Sequence, residues 1–128
     1  MTLQICRWTL AFIWIYQGIV PKLLGPHADE LAMNLAVGAT LQQAVWISYI
    51  GGVLEIVLGL MIIFLYRWRL IYIASALTIL GLHCFVVLVA PALFAGAFNP
   101  MIINLAIAAL SLIALGEVSA QRRSPATA

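Results

Sequence analysis

The chain has 128 residues, 66% of them hydrophobic and 8% charged, with a net charge of +2 and a mean hydropathy of +1.15; soluble domains run at about 45–50% apolar and about 25% charged. Six basic and four acidic side chains cannot cover a water-exposed fold of this size, which excludes an ordinary soluble domain and makes the lipid bilayer the first partner. The basic residues form no patch with interleaved aromatics, which excludes a nucleic-acid binder.

Four apolar segments follow in order, at about 3–20, 45–66, 70–90 and 100–116, each roughly 25 to 33 Å long as a helix. They predict an all-α, polytopic membrane protein. One four-helix transmembrane bundle occupies 1–120, and 121–128 forms a cytoplasmic tail. In the first segment only Trp8 to Val20 is free of charge, so Arg7 and Lys22 must snorkel toward opposite interfaces. The segment ends in Pro21, Lys22 and bulky leucines rather than a small-residue cleavage site, and is expected to stay as an anchor. Arg7, Ala11, Trp14, Gly18 and Lys22 recur on one helical face with a cation at each end.

The 21–44 connection opens with Pro21, Pro26, Asp29 and Glu30, then places Leu31, Leu35 and Ala39 at helical spacing, as a short interfacial helix would. The Arg67-Trp68-Arg69 turn predicts that the second and third helices pack side by side as an antiparallel hairpin. Pro91 to Phe98 is apolar and broken by Gly96, which suits a segment dipping into the interface over the bundle. Asn99 as N-cap and Pro100 at the first helical position open the last helix, and Gly116 marks its end.

With four crossings, Arg7, Arg67, Arg69, Arg122 and Arg123 share one side and Lys22 alone lies on the other. The positive-inside rule then places both termini in the cytoplasm. Tryptophans 8, 14, 46 and 68 mostly fall near helix ends and read as interface belts.

Glu55 sits near the middle of the second segment, where an acidic side chain costs roughly 2.5 to 3.5 kcal/mol on insertion scales. Ser48, Gly52, Glu55 and Gly59 recur on one small-residue face, so the acid points at another helix rather than at lipid. Two readings stay open: a proton- or ligand-handling carboxyl, and a neutral acid that only glues helices. Counted from the cytoplasmic boundary, Gln17, Glu55, His83 and Asn104 lie at about 15, 18, 21 and 20 Å. Facing inward, they would form one polar layer in the outer-middle of the bundle, with His83 as a proton relay or as a donor to a carbonyl or to Glu55. Lys22, Glu30 and Asn99 are the outer-face polar residues, and Lys22 can pair with Glu30 or simply snorkel. Cys84 reads as core. Cys6 and Cys84 are too far apart for a dithiol motif, and His27 and His83 lack ligand spacing, so no metal site and no cofactor is encoded.

The order of these features resembles the DoxX-like family of small bacterial membrane proteins from about Arg7 to Leu115. The matching elements are Trp14, Tyr16 and Gly18 with Val20-Pro21-Lys22-Leu23, the Pro26 to Glu30 and Met33 stretch, and Gly52 with Glu55 and Gly59-Leu60. Ala90-Pro91 with Phe98-Asn99-Pro100, and Asn104-Leu105, complete the set. The resemblance implies a four-helix bundle in the bacterial inner membrane. It also implies association with redox systems, since relatives in the wider group look like membrane subunits of quinone-linked oxidoreductases.

The chain encodes no haem, iron–sulfur, flavin or nicotinamide motif, so it would be at most a subunit of a membrane oxidoreductase. The expected function is a redox-associated component that binds a quinone-like or other small hydrophobic ligand, or that anchors an oxidoreductase partner. The alternatives are a proton-coupled small transporter or channel subunit and a ligand-free structural partner. The small-residue faces also suit a homo-oligomer.

Overall fold

A computed structural model describes residues 1–91 and 100–123, all of them helix or connection. The helices are α1 (Thr2–Gly18), α2 (Ala28–Ala36), α3 (Leu41–Phe64), α4 (Arg69–Val89) and α5 (Pro100–Arg123). Among the described residues, α3, α4 and α5 are long and apolar enough to cross a membrane. Large apolar side chains such as Phe12, Leu54, Leu77 and Leu112 point outward, which a lipid environment allows and water would not.

α1 does not stop at Gly18. It runs on as a π-helical turn over Ile19–Leu23, because Pro21 has no N–H to give to an i−4 carbonyl. The turn closes with Leu24 N–H on the Ile19 carbonyl at 2.9 Å, one residue wider than an α-turn. Gly25, at φ 131°, then turns the chain into α2. The Nδ1 of His27 accepts from Asp29 N–H at the start of that helix, and Asp29 and Glu30 in its first turn suit the positive end of its dipole. Gly38, at φ 90°, makes the next turn.

Thr40 starts α3 with a capping box: its Oγ1 accepts from Gln43 N–H at 3.3 Å and its own N–H donates to Gln43 Oε1 at 2.8 Å. This cap sets the helix start four residues before the expected 45. At the far end, α5 passes through Gly116 to Arg123. Gly116 keeps a negative φ, so it is not a left-handed cap, and the helix continues where the sequence suggested an end. The expected N-cap Asn99, nearly all of the 91–98 segment and the tail from Ser124 lie outside the described residues.

α1 packs antiparallel along α3, with Gly18 against Gly52, Ala11 and Ile15 against Gly59, and Arg7 against Ile63. A Cβ on Gly18 would sit 2.5 Å from the Gly52 carbonyl oxygen, and one on Gly52 would sit 2.7 Å from the Gly18 oxygen. The two backbones therefore touch directly, as small-residue faces permit. α5 packs on the other side of α1 and against α4. α3 and α4, although joined by a short turn, touch only lightly. The expected close hairpin between them is thus not formed, because the small-residue face of α3 is taken by α1 and the buried face of α4 by α5 and Trp14. At the Arg7 end, Nε donates to the Ile63 carbonyl at 3.0 Å, and the guanidinium lies 4.1 Å over the Tyr66 ring and 4.7 Å over Trp8. One cation thus caps the last turn of α3 and pins α1 to it.

Gly52→Ala is expected to destabilise the protein by about 1–3 kcal/mol through overpacking, read by unfolding in mixed detergent micelles. Gly81→Ala, where a Cβ meets nothing within 4 Å, should be neutral or stabilising by up to about 1 kcal/mol.

Candidate functional site

The face carrying Gly18 also carries Lys22, and the π-helical turn that holds Lys22 packs on α3. Lys22 is only 5% exposed and Glu55 only 8%. Lys22 Nζ donates to Glu55 Oε1 at 2.7 Å and lies 3.3 Å from Glu30 Oε1, carried by the first turn of α2. The lysine crosses the Gly18–Gly52 contact with its Cβ against Gly52, so the backbone approach sets how far the ammonium must reach. Glu55 is held from α3, Lys22 from α1's extension and Glu30 from α2: three elements meet on one ammonium. One cation faces two carboxylates, so the cluster carries −1 when both are ionised and is neutral with one proton bound. Glu55 Oε2 is buried and has no hydrogen-bond partner, which leaves an acceptor open in an otherwise closed site.

α2 is fastened over this site. Asn34 Nδ2 donates to the Ala44 carbonyl at 3.4 Å and to Ser48 Oγ at 3.3 Å, and Ser48 lies one turn beyond Gly52 on the face of α3 that ends in Glu55 and Gly59.

A second polar layer crosses the bundle centre. Trp14 Nε1 donates to Ser75 Oγ at 2.9 Å, Ser75 and Ser111 hydroxyls lie 2.9 Å apart, and Ser111 Oγ donates to the Ile107 carbonyl at 2.8 Å. Ser111's proton is committed to the carbonyl and Trp14's to Ser75, so Ser75 must donate to Ser111. The chain joins α1, α4 and α5, and every donor along it is satisfied.

Of the residues singled out in the sequence, Glu55 and Asn104 are buried, while Gln17 and His83 are half-buried. The hydrogen bond the structure gives Glu55 comes from Lys22, not from His83. The Ser75–Ser111 pair joins α4 to α5, and Arg122 near the end of α5 reaches the Arg67 carbonyl in the turn before α4. His83 and Asn104 stand on the paired helices α4 and α5, and Gln17 and Glu55 on α1 and α3. Lys22 does pair with Glu30 as expected, but it is buried and holds Glu55 as well, so it is not a snorkelling anchor. Trp14 is fully buried and belongs to the core rather than to an interface belt; Trp8, Trp46 and Trp68 are exposed as a belt requires. Cys84 is exposed, not core, because the packed face of α4 runs through Ser75, Ile79 and Val86.

Sequence reading missed the Lys22–Glu55 pair and the Trp14–Ser75–Ser111 chain. The signal for the first was present: Lys22 shares a face with Gly18, Glu55 shares one with Gly52, and two small-residue faces in one chain are natural partners.

The model of the DoxX-like family matches residues 11–112. The chain belongs to the DoxX-like family. No curated protein and no solved structure matches it. The matched stretch of this DoxX-like chain contains Trp14, Lys22, Glu30, Glu55, Ser75 and Ser111, so both polar layers lie within the family region.

Lys22→Met strands a buried carboxylate and is expected to cost about 3–5 kcal/mol, whereas Lys22→Met/Glu55→Met should recover most of it. A thermal-unfolding double-mutant cycle in detergent checks this, and a stable Lys22→Met single variant would contradict a structural ion pair.

Proposed function

We propose that this DoxX-like protein is a redox-associated membrane component that holds a quinone-like or other small hydrophobic, hydrogen-bonding ligand at Lys22 and Glu55. The observation that carries the reading is the unpartnered Glu55 Oε2 beside a buried ammonium. A satisfied packing pair would leave neither oxygen open, whereas an acceptor and a donor side by side suit a molecule with a hydroxyl or carbonyl at its polar end. A quinone, when bound, takes up two electrons and two protons. The residues' own part is to present Lys22 as donor and Glu55 as acceptor, to hold a proton in the cluster, and to keep water out beneath α2. Electrons enter from a partner oxidoreductase.

The same reading gives four crossings in a bacterial inner membrane. α1 with its π-helical turn forms one continuous helical run from Thr2 to Leu23, and it lies along α3 from Arg7 at Ile63 to Gly18 at Gly52. Arg7, Arg67 and Arg122 meet at one end of the bundle: Arg7 binds a carbonyl just before the turn that carries Arg67, and Arg122 binds the Arg67 carbonyl. This end faces the cytoplasm under the positive-inside rule. α2, at the opposite end, lies in the outer interface, with Leu31 and Met33 half-buried and Leu35 exposed.

Reporter fusions test the topology. Fluorescent-protein fusions at both ends should fluoresce and alkaline-phosphatase fusions at both should stay inactive, whereas three crossings would put the ends on opposite sides. For the ligand, native mass spectrometry with lipid extraction should find a quinone-like molecule on wild type, and at least about tenfold less on Glu55→Gln, the effect of losing one charge-assisted contact. Its absence from both, with equal folding, would overturn ligand binding and favour partner anchoring.

A further inference from the structure

The arginine end carries a second, differently built site. A cavity of about 440 Å³ opens between the start of α4 and the end of α5, lined by Trp68, Arg69, Leu70, Ile73 and Arg122. Two arginines line it from different helices. Arg122 is held in place by its 3.4 Å hydrogen bond to the Arg67 carbonyl, which leaves further N–H donors on the same guanidinium free to point elsewhere. Among the described residues, no carboxylate lies within ion-pair distance of either arginine. Three of the chain's four acids are in or beside the opposite site, and Glu117, the fourth, acts on Cys6 of α1, round the helix from Arg122. Among the described residues the two positive charges are thus uncompensated.

The rest of the lining is apolar. Trp68 and Leu70 are exposed, and Leu70 and the half-buried Ile73 lie one turn apart on α4, leading from Arg69 toward the apolar middle of the helix. A cationic head, an interfacial tryptophan and an apolar runway are arranged in the order of a phospholipid's own parts.

We propose that Arg69 and Arg122 bind the phosphate of an anionic phospholipid whose acyl chain lies along Leu70 and Ile73. The shared chemistry is a phosphate anion held by two guanidinium groups, each suited to paired N–H···O contacts. The apolar lining selects the lipid over free phosphate. The site rests on the arginine end lying at a membrane boundary, in either orientation, and is independent of Glu55.

The test uses the full chain in detergent, titrated with phosphatidylglycerol and read by native mass spectrometry. Wild type should retain phosphatidylglycerol in preference to phosphatidylcholine, and excess inorganic phosphate should not strip it. Arg69→Gln/Arg122→Gln should weaken retention about 30-fold, at the scale of two cation contacts near an anionic lipid surface. Arg69→Lys/Arg122→Lys should keep most of it, which separates lost charge from lost fold. Arg67→Gln/Arg123→Gln removes the same charge outside the cavity and should change retention less than about threefold. Equal loss in the two glutamine pairs would reduce the effect to net charge and overturn the site, as would unchanged binding in Arg69→Gln/Arg122→Gln. Displacement by inorganic phosphate would overturn the lipid assignment.

Discussion

Where Gly18 meets Gly52, a single added carbon on either residue would run into the other's carbonyl oxygen, and this close approach sets the distance over which Lys22 can reach Glu55. In a bilayer the lipid tails compete equally for apolar side chains, so hydrophobic burial alone does not choose one helix neighbour over another. Small residues and polar pairs make the choice. The α1–α3 interface uses both: glycines bring the backbones together, and the lysine carried by the proline-induced π-turn closes over the contact onto the carboxylate. Widening that interface would separate the ion pair, and removing one partner would leave the other's charge unpaired in the apolar layer.

The second polar layer solves a different packing problem. Trp14 is too large to be lodged between α1 and a single neighbour, and its indole N–H needs an acceptor. Ser75 supplies it from α4 and passes its own proton to Ser111 on α5. The tryptophan therefore fills the centre while the serines fix the register of the α4–α5 pair. α3 and α4 touch only lightly, so this second layer connects the α1–α3 pair to the α4–α5 pair through α1.

Charge is segregated along the bundle. One end gathers carboxylates around a single buried lysine under α2, and the other carries arginines that face backbone carbonyls, aromatic rings and an open cavity. The first arrangement is closed and the second is open. A protein this small thus carries two chemically distinct ends, because the length of its apolar helices keeps them apart.

Composition and hydropathy were enough to establish an all-helical membrane protein, since no soluble fold tolerates so few charges. The helical spacing of Ser48, Gly52, Glu55 and Gly59, and of Ala11, Trp14, Gly18 and Lys22, marked the faces that are in fact buried, because periodicity is a local property of a helix. It could not say which faces meet. Depth along the chain put Gln17, Glu55, His83 and Asn104 in one layer, yet depth carries no information about rotation around the bundle: the partner the structure gives Glu55 is Lys22, and Gln17 and His83 are only half-buried. Nor could it foresee the π-turn's closure: Pro21 announces a lost hydrogen bond, but how the backbone compensates depends on what α3 offers at that height. Lys22 looked like an interfacial anchor because a lone cation near a helix end ordinarily reaches for water. Only the tertiary contact, with two carboxylates nearer than solvent, turned it inward.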